Sequence, residues 1–425
     1  MDTIFAVSSG RPPAAIAVLR VSGPAAIDAV WRLAGNVPTP RRAALRTLRT
    51  AVGEPLDRAL VLVFPGPATA TGEDLAELHL HGGRAVVAAV EAELRSLPGL
   101  RPALAGEFTR RALEHGRLDL AEAQGLADLL AAETEAERKT AFAASEGEIS
   151  REVAGWLARI AHTSALVEAS LDYSDEDDVV GHSTDALREE VVNLATSIGT
   201  VLARPTVERL REGVTVVLAG PPNAGKSSLF NALLARDAAI VTAQAGTTRD
   251  VLEASVQRGG TAFVLIDTAG LHGDTDDSIE RIGIARASDA IARADILLWL
   301  GDPADAPAGS TLVHARGDAP GRENPPDGAL VTSVSDPASI EGLWDHLQDR
   351  AAQIMPPVTS ALLHQQQRER VLHAHAALAQ ATSEEDLLLV AEQLRTARTH
   401  LSSLLGVDAT EAMLDALFAR FCVGK

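Results

Sequence analysis

The chain has 425 residues, of which 46% are hydrophobic and 23% are charged, a composition that excludes a disordered protein. Its 58 acidic and 38 basic side chains give a net charge of −20, which argues against broad binding of nucleic acid through phosphates without a local basic patch or a second protein. The single cysteine excludes an internal disulfide framework and a multi-cysteine metal site. Because no apolar run is long enough to span a membrane and no secretory signal is visible, we expect a cytoplasmic protein without membrane contact.

Residues 1–117 show mixed strand and helix signals. The apolar runs Ile16–Val21 and Ala59–Phe64 are bounded by Gly and Pro, as strands are. The alternating segment Leu75–His81 predicts a third strand, and a helix is predicted over about 85–97. The mixture indicates an α+β domain.

One face of the third predicted strand carries Glu77, His79 and His81. A metal site is one interpretation of this trio. Successive same-face residues of a strand diverge too far to close a tetrahedral site unaided, so we favour a role without metal.

Two helical blocks flank a segment of another kind. The first covers 118–211, and its apolar stripe is predicted at Val153, Leu157, Ile160, Val167 and Leu171, broken only by Ser164. The second covers 356–425, with a stripe from Leu387 to Leu404 and Gly406 as its stop. Two such blocks predict one helical domain with an insertion.

The insertion, 212–355, alternates strand and helix. Its short apolar runs are typical of buried parallel strands and lie at Val214–Ala219, Phe263–Ile266, Ile296–Leu300 and Leu312–His314. This pattern predicts an α/β domain with a mostly parallel sheet.

A P-loop pattern, Gly220–Ser227, follows the first of these strands and precedes a helix. Its glycines allow backbone N–H groups to surround phosphate oxygens, and Lys226 can reach the outer phosphates. The hydroxyl of Ser227 is a ligand for Mg²⁺. The segment therefore predicts a nucleoside triphosphate site.

Two further motifs indicate a GTPase. Thr247, Thr248 and Arg249 follow about twenty residues downstream, where a threonine binds Mg²⁺ only while a γ-phosphate is present. Asp267–Gly270 ends a strand, and Asp267 is expected to reach the water shell of the metal.

The base-recognition motif departs from Asn-Lys-x-Asp, since the chain has Ala315–Arg316–Gly317–Asp318. Asp318 can accept hydrogen bonds from guanine N1 and N2. Ala315 lacks the amide that would contact the purine, and Arg316 replaces a lysine. We expect a reduced guanine affinity, with a lost nucleotide preference as the alternative.

These motifs together resemble those of the bacterial tRNA modification GTPases of the MnmE (TrmE) family over nearly the whole chain. The matching segments outside the nucleotide site are Leu19–Gly23, Phe64–Pro67, Thr71–Asp74, His81–Gly83, Gly106–Ala112, Leu118–Ala121 and Phe421–Lys425. The last of them is the most specific.

The resemblance implies three domains. A folate-binding and dimerisation domain would cover 1–117, a helical domain 118–211 and 356–425, and an inserted Ras-like G domain 212–355. It also implies which residues contact the nucleotide: Asn223, Ala224, Gly225, Lys226, Ser227, Ser228, Thr242, Ala243, Gln244, Ala245, Gly246, Thr247, Thr248, Asp267, Thr268, Ala269, Gly270, Asp318 and Ser333.

The implied activity is GTP-driven addition of a carboxymethylaminomethyl-type group to C5 of the wobble uridine of certain tRNAs. The implied assembly is a homodimer with an FAD-containing partner, MnmG, in a heterotetramer or larger complex. A 5-formyl or 5,10-methylene tetrahydrofolate would supply the one-carbon unit. The folate positions of the family fall on Arg20, Glu77, Arg117 and Lys425.

The resemblance further implies that K⁺ replaces an arginine finger. The expected K⁺ ligands are Asn223, Thr242, Gln244 and Thr247, and the expected Mg²⁺ ligands are Ser227 and Thr248. Catalytic roles fall on Glu280, which would position the attacking water, on Arg249, and on Cys422, which the family requires for tRNA modification.

Two other functions remain open from the residues alone. A ribosome-assembly GTPase would need an RNA-binding appendage, and no KH-type loop or basic tail is visible. A regulatory GTPase with weakened hydrolysis is suggested by Ala315.

Overall fold

A computed structural model describes residues 2–172, 184–235, 252–268, 288–355, 360–407, 410–421 and 423–424. The chain forms two compact units. The first consists of Met1–Leu130, Ala144–Thr196 and Arg370–Lys425, and the second of Ala131–Ala143 and Ser197–Glu369. Within the described ranges, no helix combines the length and apolarity that crossing a bilayer requires.

The first unit contains a six-stranded sheet. Its strands are β1 (Thr3–Val7), β2 (Ile16–Ser22), β3 (Ala44–Arg49), β4 (Pro55–Phe64), β5 (Leu75–His81) and β6 (Leu100–Pro102). The order is β3-β4-β5-β2-β1-β6, and every neighbouring pair is antiparallel except β1 and β6. The three predicted strands are confirmed, and so is the α+β class.

The two faces of this sheet are covered differently. Helices α1 (Ala26–Ala34) and α2 (Arg84–Ser96) pack on one face and build the core with it. On the other face, Phe108 of helix α3 (Glu107–Glu114) packs with Ile4 and Ala6 of β1. Ser22 and Leu75 on that face are also buried, whereas Ile16, Leu45 and Leu60 stay exposed.

The helices that follow are α4 (Leu120–Ala131), α5 (Glu135–Ser145), α6 (Glu148–Asp172), α7 (Thr184–Leu202), α8 (Val207–Glu212), α9 (Lys226–Leu234), α10 (Pro337–Ile354), α11 (Gln365–Ser383), α12 (Leu387–Ser402) and α13 (Glu411–Phe418). Helix α6 packs along α12. The stripe predicted on α12 is confirmed, since Leu394, Ala397 and Leu401 are fully buried.

The stripe predicted on α6 is confirmed at Val153, Ile160 and Val167, which are buried, whereas Leu157 and Leu171 are only half-buried. Trp156 and Thr163 are buried, whereas their neighbours Leu157 and Ser164 are only half-buried. Adjacent residues of a helix lie about 100° apart, so either one can continue a stripe that steps by three or four. The large indole of Trp156 occupies the buried position.

The second unit contains another six-stranded sheet. Its strands are β7 (Val214–Ala219), β8 (Leu252–Arg258), β9 (Thr261–Asp267), β10 (Ile296–Trp299), β11 (Thr311–Ala315) and β12 (Leu330–Thr332). The order is β12-β11-β10-β7-β9-β8, and only β8 and β9 pair antiparallel. The mostly parallel sheet is therefore confirmed, although β8 and β12 lie outside the four runs from which it was predicted.

Candidate functional site

The loop that joins β7 to α9 has the conformation that a phosphate cradle needs. Asn223 has φ 61°, which asparagine tolerates better than most residues, and Gly225 has φ 99° directly before the first residue of α9. Helix α9 thus begins at Lys226, inside the P-loop pattern that was predicted to precede it. A helix N-terminus that follows such a loop is a general site for anions.

Lys226 is held inside this loop. Its side chain is buried, and Nζ donates hydrogen bonds to the carbonyl oxygens of Gly220 at 2.8 Å and Pro221 at 2.9 Å. Burial lowers the pKa of Lys226, and the charge of Asp267 acts in the opposite direction. The ammonium group is therefore positioned by the loop itself.

The next motif lies beside the P-loop because β9 is parallel to β7. Leu218 pairs with Asp267, which is fully buried. The hydroxyl of Thr268 donates to the carbonyl oxygen of Leu218 at 2.8 Å. The sheet therefore brings Asp267 and Thr268 to the strand end from which the P-loop starts.

The base-recognition segment lies against the same loop. A Cβ atom placed on Gly225 would lie 3.5 Å from Arg316 Nε and 3.6 Å from Ala315 Cβ. Arg316 itself has φ 58°. The structure thus places Ala315–Asp318 next to the P-loop, as the predicted nucleotide site requires.

The carboxylate of Asp318 is oriented by two serines. Ser335 Oγ donates to Asp318 Oδ2 at 2.6 Å, and Ser333 Oγ lies 2.8 Å from Ser335 Oγ. Hydrogen bonds from Ser335 and Ser333 lower the pKa of Asp318. Ser333 was predicted, and Ser335 was missed. A second serine two residues after Ser333 is the sequence feature that could have indicated Ser335.

A cavity of about 380 Å³ opens in the first unit beside β2 and α3. Arg20, Phe108 and Arg117 line it. Arg20 Nη2 lies 2.9 Å from Glu77 Oε1, and its guanidinium carbon lies 5.9 Å from the centre of the Phe108 ring. Two predicted folate residues therefore line one cavity, and Glu77 contacts one of them.

A buried ion pair, which was not among the predicted site residues, stabilises the wall of this cavity. Arg111 Nη1 lies 3.1 Å from Glu73 Oε1, and both side chains are less than 10% exposed. Thr69, which lines the cavity, donates from Oγ1 to the carbonyl oxygen of Glu73 at 2.6 Å. Both charged residues belong to segments that match the family, which is the signal that could have indicated them.

Glu107 joins this network from α3. Burial alone would raise its pKa, but hydrogen bonds from Arg101 and from the Leu104 amide, with Arg111 beside them, lower the pKa of Glu107 below its usual 4.5. A carboxyl group whose folded-state pKa is lowered stabilises the fold at pH above its unfolded-state value, and that stability is lost as the pH falls.

We therefore expect the free energy of unfolding to decline as the pH falls below about 4.5, and Glu107→Gln to flatten this decline. At pH 7 the variant should lose about 1.5–3 kcal/mol, the range for hydrogen bonds to charged groups. Urea unfolding between pH 7 and pH 3 measures both effects. Glu114→Gln, at an exposed position of the same helix, is the control. An unchanged pH slope in Glu107→Gln would contradict the assignment.

The residues that flank Cys422 are tied to the first sheet. Val423 forms an antiparallel bridge with Ala105, and Ser8 Oγ donates to the carbonyl oxygen of Gly424 at 2.8 Å. Phe421 is buried and packs with Leu120 and Phe418. The terminal segment thus lies against the strand that neighbours the one bearing Arg20.

Several predicted site residues lie outside the described residues, and their placement stays a prediction. They are Thr242, Ala243, Gln244, Ala245, Gly246, Thr247, Thr248, Arg249, Ala269, Gly270, Glu280, Cys422 and Lys425.

The polar trio of β5 is engaged in protein contacts. Glu77 Oε2 lies 3.4 Å from His79 Nε2, and His81 Nδ1 lies 2.7 Å from Asp57 Oδ1. Over the part of the chain that the structure describes, no group of three His, Cys, Asp or Glu side chains is arranged to hold a metal ion.

Comparison with known families gives two matches. The family described as "MnmE helical domain" matches residues 120–422, and the family described as "GTP-binding protein TrmE N-terminus" matches residues 3–117. Among solved structures, the G domain of the FeoB iron transporter of T. maritima is 23% identical, with a TM-score of 0.25, and the alignment covers 32% of this chain and 98% of that one.

Full-length relatives are much more similar. The protein of Erythrobacter litoralis is 53% identical and that of Novosphingobium aromaticivorans 52% identical, and each alignment covers 100% of both chains. The protein of Rhizorhabdus wittichii is 54% identical, with 100% of this chain and 97% of that one covered. All three are named tRNA modification GTPase MnmE. With the P-loop, Asp267 and the Asp318 loop gathered at one end of a parallel sheet, the chain belongs to the MnmE family of tRNA modification GTPases.

Proposed function

We propose that this GTPase drives the addition of a carboxymethylaminomethyl-type group to C5 of the wobble uridine of tRNA in the cytoplasm. An FAD-containing partner, MnmG, would act with it in a heterotetramer or larger complex, and a tetrahydrofolate would supply the one-carbon unit. The domains would be divided at 1–117, 118–211, 212–355 and 356–425. Family membership and the cavity beside β2 support this proposal.

The observation that carries the proposal is the pairing of cations with an aromatic ring in that cavity. Arg20 and Arg117 can bind the carboxylates of a folate glutamate tail, because guanidinium groups form charge-assisted hydrogen bonds with carboxylates. The ring of Phe108 offers a flat apolar wall for a pteridine. Glu77, next to Arg20, is an acceptor for ring N–H groups. Lys425 would add a further cation.

The anchoring of the terminal segment supports a joint site for folate and thiol. Gly424 packs so closely on β1 that a Cβ atom there would lie 2.2 Å from the carbonyl oxygen of Val7. Ala6 of β1 pairs with Arg20 in the sheet. Cys422, two residues before Gly424, would therefore act near the cavity. A thiolate is the natural nucleophile of such a site.

We propose that Lys226 binds the outer phosphates and that Ser227 and Thr248 hold Mg²⁺. The oxygen donors available here, with buried Asp267 beside them, suit that metal. When bound, Mg²⁺ neutralises charge on the phosphate oxygens. Glu280 would position the attacking water, and Arg249 would act from the same switch segment as Thr248.

We also propose that K⁺ is held where two G domains face each other. Asn223 is suited to this role because it lies exposed in the P-loop with φ 61°, so its side-chain oxygen is accessible. The remaining ligands would be Thr242, Gln244 and Thr247. The cation would supply positive charge where other GTPases use an arginine.

The exposed apolar part of the second face of the first sheet supports a homodimer. Ile16, Leu45 and Leu60 lie on this face and are 58%, 46% and 44% exposed. Leu45 pairs with Leu60 across β3 and β4, so their side chains lie together. An exposed apolar group of this kind marks protein interfaces, and a second copy would cover it.

A second candidate function is a regulatory GTPase with weakened guanine recognition. Ala315 is the observation that favours it, because a methyl group cannot contact the purine as an amide does. GTP hydrolysis by the purified protein separates the two functions. Fast hydrolysis that depends on K⁺ supports the modifying enzyme, and slow hydrolysis in every salt supports the regulator.

We expect Arg20→Met and Arg117→Met each to weaken binding of 5-formyltetrahydrofolate about tenfold to a hundredfold. Each variant removes charge-assisted hydrogen bonds of about 1.5–3 kcal/mol. Fluorescence or calorimetric titration of the full chain measures the affinity. Arg32→Met, an exposed arginine of α1, is the matched control and should bind as the parent does. Parental affinity in both cavity variants would contradict the folate assignment.

A further inference from the structure

Thr332 has a buried hydroxyl group beside the nucleotide site. It is the last residue of β12, its side chain is 1% exposed, and among the described residues no atom forms a hydrogen bond with its Oγ1. A buried hydroxyl without a partner costs free energy, and a valine of the same shape would avoid that cost. Such a group next to a binding site points to a ligand.

The sheet fixes where this hydroxyl lies. Ala315 pairs with Thr332 in parallel register, so both side chains lie on the same face. Ala315 contributes to the core on that face and approaches the P-loop at Gly225. The backbone carbonyl of Thr332 accepts a hydrogen bond from the Gly317 amide at 3.0 Å. The hydroxyl therefore belongs to the wall formed by the base-recognition segment.

The side chain of Ala315 ends at Cβ, so the amide that would contact the purine at this position is replaced by a methyl group. Asp318, held by Ser335 and Ser333, can bind only the N1 and N2 edge of guanine. The N7 edge then needs another polar group of the protein. Thr332 is a neighbouring side chain whose hydroxyl, among the described residues, has no hydrogen-bond partner.

We propose that Thr332 is a specificity-determining residue, which binds N7 of guanine through a water molecule located beside the Ala315 methyl group. A water held by a hydroxyl and a ring nitrogen has two polar partners, the smallest number that a bridging water needs. The inference rests on the proposed placement of guanine beside Ala315–Asp318.

The test compares GDP with 7-deaza-GDP, which lacks the N7 acceptor. Thr332→Val should weaken GDP binding about threefold to tenfold, the usual range for one hydrogen bond. It should leave the affinity for 7-deaza-GDP unchanged, and Thr332→Ser should bind GDP more tightly than the valine variant. Isothermal titration of the full chain measures the affinities of the parent and of each variant.

Two controls exclude a role in folding. Thr311 is the first residue of β11, at the opposite end of that strand from Ala315. Thr311→Val makes the same substitution there and should keep the parental affinity for GDP. Thermal unfolding of the nucleotide-free Thr332→Val protein should occur at the parental temperature or above it, because an unpartnered hydroxyl is removed. A loss of affinity without a loss of stability therefore supports the proposal.

Two results would overturn it: equal GDP affinity in Thr332→Val and the parent, or an equal loss for GDP and 7-deaza-GDP. Asp318→Asn tests the placement of guanine separately. With an amide in place of the carboxylate, the protein should prefer xanthosine diphosphate to GDP. If this change of preference does not occur, the guanine placement is wrong and the inference falls with it. If it occurs while Thr332→Val has no effect, only the role of Thr332 is wrong.

Discussion

Replacing K⁺ by Na⁺ is expected to lower GTP turnover about a hundredfold, the effect of removing one pre-positioned group that stabilises transition-state charge. In the proposed arrangement, Asn223 completes a cation site only when two G domains face each other. Turnover per protein should therefore rise with protein concentration in K⁺ and not in Na⁺. Phosphate release measured at several protein concentrations in both salts gives the result.

Asn223→Ala should abolish the difference between the two salts. Asn231→Ala, at an exposed position of α9, is the matched control and should keep the parental response to K⁺. Equal parental rates in the two salts would show that hydrolysis uses no K⁺ at this loop. A salt difference that persists in Asn223→Ala would place the cation elsewhere.

Cys422→Ser is expected to abolish wobble-uridine modification while GTP hydrolysis stays nearly intact. A serine hydroxyl is a far poorer nucleophile than a thiolate near neutral pH. Phosphoryl transfer depends on positioning and charge at the P-loop, where Lys226 lies, and uses no thiol. Nucleoside analysis of bulk tRNA from cells whose only copy carries the variant measures the first effect, and phosphate release measures the second.

The packing of the terminal segment provides the control for this variant. Val423→Ala keeps the thiol and trims a side chain that is 56% exposed, so both activities should remain. Normal levels of the modified nucleoside in Cys422→Ser would show that the terminal motif serves packing alone. Loss of both activities together with an altered circular dichroism spectrum would identify misfolding of that variant, and loss of both without such a change would contradict the separation.

Features that depend on local chain segments were predictable from the amino-acid sequence. The P-loop was predictable because a few consecutive residues set both its backbone conformation and its chemistry, as Asn223 and Gly225 show. The parallel sheet was predictable because its buried strands are continuous apolar runs. The α+β character of the first 117 residues followed from alternation and turn residues, and burial alternates as predicted over residues 76–81 of β5, with Leu75 buried as well.

Contacts between side chains that are distant in the sequence depend on the folded arrangement of the elements. Ser335 and Asp318 are 17 residues apart, and Arg111 and Glu73 are 38 apart, so no local pattern shows that they bond. The choice of Trp156 over Leu157 on α6 likewise depends on what packs against the helix. The burial of the Thr332 hydroxyl beside Ala315 follows from strand pairing, because the hydrogen-bonding partners and neighbours of a strand residue come from other strands of the sheet and not from its own segment.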